Sequence, residues 1–214
     1  GCSRRRQALR KQQGRPPAGR SSAGFWVAAI AVSTGGPQTL AHIIPSLPPN
    51  FPVPIVMVQH MPPFFTNSLA QSLNSRSSIN VVEARGGMVL SPGNVYIAPG
   101  GKHLVVRPVE GKAVCILNEN PPEQSVRPSA DVLFRSLADF PSARGVLAVV
   151  LTGMGEDGLA GVRYLKQKSC YCLTQTAESC VIYGMPRAVD LAGLSDESVA
   201  HADVAERMVR LVTG

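Results

Sequence analysis

Trp26-Val-Ala-Ala-Ile-Ala-Val-Ser33-Thr-Gly-Gly-Pro37 decides how the rest of the chain is read. Its unbroken apolar run has the pattern of a buried strand. The run stops at a serine, then a Gly-Gly pair, then a proline suited to the first turn of a helix. Ser33 therefore stands at the carboxyl end of a strand and the amino end of a helix. Open parallel α/β sheets place their crevice there, and helix-end N–H groups favour negative charge. Such a loop serves a phosphate as well as it serves a nucleophile, so the ends of the other strands carry the decision.

Working outward, strand and helix patterns alternate. Strands are expected at 26–32, 55–59 and 80–84, and helices at 37–46 and 64–74, with Thr66 as a plausible N-cap. In the middle, 94–98, 103–108 and 113–117 are short strands. A Val-Glu-Gly-Lys turn joins the last two, and the group has the pattern of an antiparallel ribbon added to the sheet. Alternation resumes with a helix over 129–139, a strand over 145–151, a helix over 158–168, a strand over 170–174, and helices over 186–192 and 203–213. The expected fold is α/β: a doubly wound, mostly parallel sheet with helices on both faces and an added antiparallel ribbon.

The 214 residues suit one sizeable domain. The net charge of +7 resides in residues 1–24, which hold seven arginines and lysines and no acid. These residues have the composition of a disordered tail or interdomain linker, and 25–214 that of the folded domain. The remainder is formally neutral, which argues against a domain-wide nucleic-acid surface. No run reaches the length of a membrane helix. Five cysteines without a framework suit reduced thiols in the cytoplasm. Cys170 and Cys172 are expected on opposite sides of their strand, and no ligand set for zinc or another metal is expected.

Ser33, His60 and Asp157 each follow a strand, so neighbouring strands would bring them to one crevice. The chemistry has a use for all three. A histidine takes the serine proton, and a carboxylate on the far imidazole nitrogen fixes the tautomer and stabilises the imidazolium. Oxyanion donors are available in the turns over 33–36 and 153–155. Plainer roles stand beside these. Ser33 suits an N-cap, His60 a strand end bonded to a carbonyl, and Asp157 a cap for the helix that follows. Glu156 is a rival carboxylate. His103, on the ribbon, is placed to line a cleft, while His42 and His201 read as surface residues. A nucleotide- or phosphate-binding module and a non-catalytic binding domain are the competing classes. Neither a Gly-x-x-x-x-Gly-Lys-Ser/Thr nor a Gly-x-Gly-x-x-Gly motif supports the first.

Seven segments, in order, resemble the catalytic domain of the CheB chemotaxis receptor methylesterases. They are Ser33-Thr-Gly-Gly-Pro37, Gln59-His-Met-Pro-Pro63 with Phe65-Thr66, Tyr96-Ile-Ala-Pro-Gly100 with His103-Leu104, Arg127-Pro-Ser129, Asp131-Val-Leu-Phe134, Leu151-Thr-Gly-Met-Gly155 with Asp157-Gly158, and Tyr183-Gly-Met-Pro186. The resemblance implies hydrolysis of glutamate γ-methyl esters on cytoplasmic receptor helices, with release of methanol, and deamidation of particular glutamines. It places the nucleophile, base and orienting acid on Ser33, His60 and Asp157, and the oxyanion or substrate contacts on Thr34 and Met154. No cofactor is implied. An N-terminal receiver domain is implied in the full-length protein, with 1–24 resembling the linker to it. Thr176 and Ala177 depart from the Gln-Asp-Glu common in the family, and the link Lys168-Ser-Cys170 lacks the family's glycines.

Overall fold

The computed structural model describes residues 24–142 and 144–214; apart from Gly24, the basic segment 1–24 lies outside them. The strands β1 (Phe25–Val32), β2 (Ile55–Gln59), β3 (Asn80–Glu83) and β4 (Asn94–Ile97) are followed by β5 (His103–Val109) and β6 (Lys112–Asn118). After these come β7 (Gly145–Val150), β8 (Cys170–Gln175) and β9 (Glu197–Val199). The helices are α1 (Gly36–Ile43), α2 (Phe65–Asn74), α3 (Ala130–Ala138), α4 (Leu159–Leu165), α5 (Met185–Leu191) and α6 (Val204–Thr213).

Seven strands form one sheet in the order β3-β4-β2-β1-β7-β8-β9, and every pairing in it is parallel. From β1 the chain winds outward through β2, and from β7 it winds the other way through β8. The reversal of direction therefore falls between β1 and β7, where such sheets open a crevice beyond their strand ends.

The unbroken apolar run of β1 follows from burial on both faces. Val27, Ala29 and Ala31 pack with Leu133, Phe134 and Leu137 of α3, Val162 of α4 and Val189 of α5. Ala28, Ile30 and Val32 pack on the opposite side with Leu40 of α1, Leu69 and Leu73 of α2 and Met208 of α6. A strand covered twice has no solvent side to reserve for polar residues.

Several details differ from the sequence reading. The strand at 94–97 belongs to the parallel sheet, between β2 and β3. The ribbon is β5 and β6 alone, a separate two-stranded sheet. It packs on the α3 side, where Val106 N–H donates to Ser136 Oγ at 3.0 Å. Its turn has Glu110 and Gly111 at φ 49° and 75°, the positive pair that a two-residue hairpin connection requires. Thr66 is not a cap: it lies inside α2, donates to Glu83 Oε1 at 2.6 Å and accepts Gly100 N–H at 3.0 Å. Cys170 and Cys172 share one core layer, because residues two apart on a strand point the same way. His201 is half-buried, with its ring edge against that of the exposed His42.

Candidate active site

Val32 of β1 and Gln59 of β2 are register partners, so Ser33 and His60 leave adjacent strands side by side. His60 N–H donates to the Val32 carbonyl at 3.1 Å, which carries the pairing one step past the last register pair. The Gln59 amide then ties the two ends together, donating to the Ser33 carbonyl at 3.0 Å and the His60 carbonyl at 3.2 Å. On the other flank Ser33 N–H donates to the Thr152 carbonyl at 2.9 Å, beyond β7. Thr152 Oγ1 donates to the Thr34 carbonyl at 2.9 Å, and Gln175 Oε1 accepts Thr152 N–H at 2.9 Å. The turn at Ser33 is thus fixed by backbone and amide groups from three neighbouring strand ends.

Ser33 does not cap α1. The N-cap there is Gly35, and no side chain serves it. The Ser33 hydroxyl forms no hydrogen bond to another described residue. Its own N–H and that of Gly36 are committed to protein carbonyls, as is Gly153 N–H. Among the described residues the N–H groups of Thr34 and Gly35 in this turn, and of Met154 and Gly155 in the facing loop, meet no protein acceptor.

Asp157 does not cap its own helix either. It is 3% exposed and reaches across to α3. Its Oδ1 accepts Ser129 Oγ–H at 2.7 Å and Asp131 N–H at 3.0 Å. Its Oδ2 accepts Ala130 N–H at 2.7 Å and faces His60 Nε2 at 2.7 Å. Burial pushes this carboxyl up, but the bonds from His60, Ala130, Ser129 and Asp131 together outweigh it and hold the group below its ordinary value. Asp157 is therefore ionised and accepts from His60 Nε2–H, which leaves Nδ1 as the ring nitrogen not engaged by the carboxylate. Glu156, the rival carboxylate, is exposed.

Asp131 repays the contact. Its Oδ1 accepts Gly158 N–H at 3.0 Å and Gly161 N–H at 2.6 Å at the start of α4, and its Oδ2 accepts the Gln124 amide at 2.7 Å. Each of two buried carboxylates thus caps the other's helix. Burial pushes Asp131 up to about 6; the Gly161 and Gly158 N–H groups and Arg135 pull it down, while the Asp157 charge adds to the rise. A folded-state value above the unfolded one makes the ionised form a burden at neutral pH, absent below the unfolded value near 4. Asp131→Asn keeps an oxygen toward α4 and removes the charge. We expect it to raise Tm by ~5 °C at pH 8 and by nothing at pH 4 in thermal melts. An equal change at both values would refute the electrostatic account.

Among the described residues, the thiols of Cys115, Cys172 and Cys180 are poor competitors as nucleophiles. Burial pushes Cys115 up to about 12 and Cys180, near the crevice, up to about 11, and it raises Cys172 too. Sequence reasoning missed Gln59, Ser129, Asp131, Thr152 and Gln175. Their only local signal is that each lies within three residues of a strand end or at a helix start. Thr34 and Met154 are exposed beside the turn and its facing loop.

The chain is similar to known proteins along most of its length. Residues 28–208 match the model of the family described as CheB methylesterase. A protein-glutamate methylesterase/protein-glutamine glutaminase of Desulfotalea psychrophila is 44% identical over 188 residues, 87% of this chain and 51% of its own length. One from Saccharophagus degradans is 48% identical over 183 residues, 85% of this chain and 49% of its own. The crystal structure of the Thermotoga maritima CheB methylesterase catalytic domain superposes with a TM-score of 0.85 at 41% identity, covering 88% of this chain and 99% of that one. The chain, which spans about half the length of these curated relatives, belongs to the CheB methylesterase family.

Proposed function

We propose that this chain is a protein-glutamate methylesterase acting through Ser33, His60 and Asp157. Its substrates in this reading are γ-methyl esters of glutamate on cytoplasmic helices of chemoreceptors. The observation that carries the reading is the 2.7 Å contact of His60 Nε2 with the buried Asp157 carboxylate, beside Ser33 in strand register. With Nε2 engaged, Nδ1 is the nitrogen that takes the Ser33 proton. Ser33 Oγ attacks the ester carbonyl, and the oxyanion accepts from the N–H groups of Thr34 and Met154. The tetrahedral adduct collapses, His60 protonates the departing methoxide, and methanol leaves an acyl-Ser33 ester. Water, deprotonated by the same nitrogen, then releases the glutamate. A glutamine amide follows the same route with ammonia as the leaving group.

A polypeptide substrate suits the rim. Phe64, Phe65, Met154, Val181 and Ile182 are exposed. Phe64, Met154, Val181 and Ile182 lie on the loops after β2, β7 and β8, and Phe65 opens α2, so that they flank Ser33 on both sides. The lengths of the relatives leave room for the proposed receiver domain, and the cytoplasm is the compartment that such receptor helices require. Among the described residues no helix is long and apolar enough to cross a membrane.

The test is methanol release from a purified, methylated receptor cytoplasmic fragment. Release that saturates with fragment supports the reading, and none above the uncatalysed rate refutes it. Gly153 supplies a second probe. A Cβ there would stand 2.7 Å from Ser33 Cβ and would press on the Met185 sulfur. Gly153→Ala is expected to displace Ser33 and lower kcat by ~10²-fold, the usual penalty of a 1 Å misplacement. An unchanged kcat would mean that the turn yields without consequence.

A further inference from the structure

Three of the four donors to Asp157 come from residues 129–131, and that turn is itself held from beneath by a buried imidazole. His103, the first residue of β5, is 1% exposed. Its Nδ1 faces Ser129 N–H at 3.2 Å and its Nε2 faces the Pro121 carbonyl at 3.1 Å. Both partners work in one direction only: an N–H donates and a carbonyl accepts. The ring is therefore the neutral tautomer with its proton on Nε2, and both nitrogens are spent. Ser129, as the N-cap of α3, offers its N–H to His103 and its hydroxyl to Asp157. The contacts run Pro121, His103, Ser129, Asp157, His60, each within 3.2 Å of the next.

We infer that His103 is a positioning residue: by fixing Ser129 N–H it sets the seat of Asp157 at the start of α3, and so the angle at which Asp157 meets His60. Its kinetic consequence rests on the esterase reading; its structural consequence does not.

Two amide substitutions separate this role from packing. The Oδ1 of an asparagine reaches the place of Nδ1, whereas the amide of a glutamine reaches that of Nε2. His103→Asn thus keeps the acceptor for Ser129, and His103→Gln keeps the partner of Pro121 while leaving Ser129 N–H facing no acceptor. We expect His103→Asn to hold kcat within ~5-fold and His103→Gln to lose ~30–100-fold in kcat with KM within ~3-fold, the scale of a small misplacement. In an Asp157→Asn background His103→Gln should cost less than ~2-fold more, because the two act as one unit. The His60 Nε2–H proton resonance reports the same seat without any reaction. It should move in His103→Gln and stay in His103→Asn, so a failed esterase assay leaves this result readable. Equal behaviour of the two variants, or an unmoved resonance in both, overturns the inference. Should His103→Gln fail to fold, His103→Asn decides alone: loss of its fold or its resonance refutes the role.

Discussion

A Ser33→Ala variant is expected to fold as the parent does and to lose methanol release by ~10⁶-fold in kcat, the cost of removing the nucleophile from a serine hydrolase unit. The two halves of this expectation have separate physical grounds. Stability should hold because the turn is secured by the Ser33 backbone, whose N–H meets Thr152 and whose carbonyl meets Gly36 and Gln59. The hydroxyl makes no hydrogen bond to a described residue, so its loss leaves no partner stranded, and Tm should shift by less than ~2 °C. Activity should vanish because Oγ forms the covalent bond in the proposed route, and no neighbouring group can replace it. The nearby thiols are held protonated by burial, Cys180 included. What survives should be the modest acceleration that binding and the oxyanion donors give without a nucleophile, ~10³-fold over water. Adding His60→Gln to Ser33→Ala should cost little more, since a base without its nucleophile has no proton to take. Parent-like turnover by Ser33→Ala would remove the covalent route, whereas a collapse of Tm would make the kinetic loss uninformative and point to a structural task for the hydroxyl.

How far the sequence could be read depended on whether a feature was local. The apolar run before Ser33, the β-branched run before His60 and the glycine loop before Asp157 are each contiguous, and each strand was found where its pattern lay. Parallel alternation also implied that the three ends share one side of the sheet. The order of the strands was not legible, because helix-covered strands look alike whichever neighbour they take. Hence the strand at 94–97 was assigned to the ribbon, although its partners β2 and β3 precede it by many residues. Strand β9 has three residues, too few for any periodicity to register. The frame around the crevice was hidden for a related reason. Beside its proposed role as an orienting acid, the plainer role that local sequence offers Asp157 is a cap for the helix beside it, the commonest use of that residue at that place. It caps α3 instead, 27 residues earlier in the chain at Ala130. Exchanges of that kind leave no trace in spacing, and the same holds for His103 and Ser129.

Asp157→Asn is the substitution whose kinetic and thermal effects should both be large. An amide has one accepting oxygen where the carboxylate has two, and Asp157 receives four donors. If the amide nitrogen turns toward Ser129 and Asp131, the Asp131 N–H is orphaned. If it turns toward Ala130 and His60, the Ala130 N–H is orphaned and His60 Nε2 must accept. The His60 proton then moves to Nδ1, the nitrogen that should be receiving the proton of Ser33. The first orientation keeps the tautomer and loses the charge that stabilises the imidazolium; the second loses both. Either way kcat should fall by ~10³–10⁴-fold, as when the acid of a serine triad is made an amide. Stability should fall by about 2–4 kcal/mol at pH 7, or ~10 °C in Tm, for an orphaned buried N–H and a lost charge-assisted cap. The sign of the pH dependence follows from the depressed folded-state value of Asp157. Its contribution is present above the unfolded value near 4 and is lost as pH falls through the folded one. The gap in Tm between parent and variant should therefore be widest at neutral pH and close on acidification. A gap of the same size at pH 3 and pH 7 would mean that the carboxylate charge does not hold α3, and an active variant that melts early would mean that it holds α3 but does not orient His60.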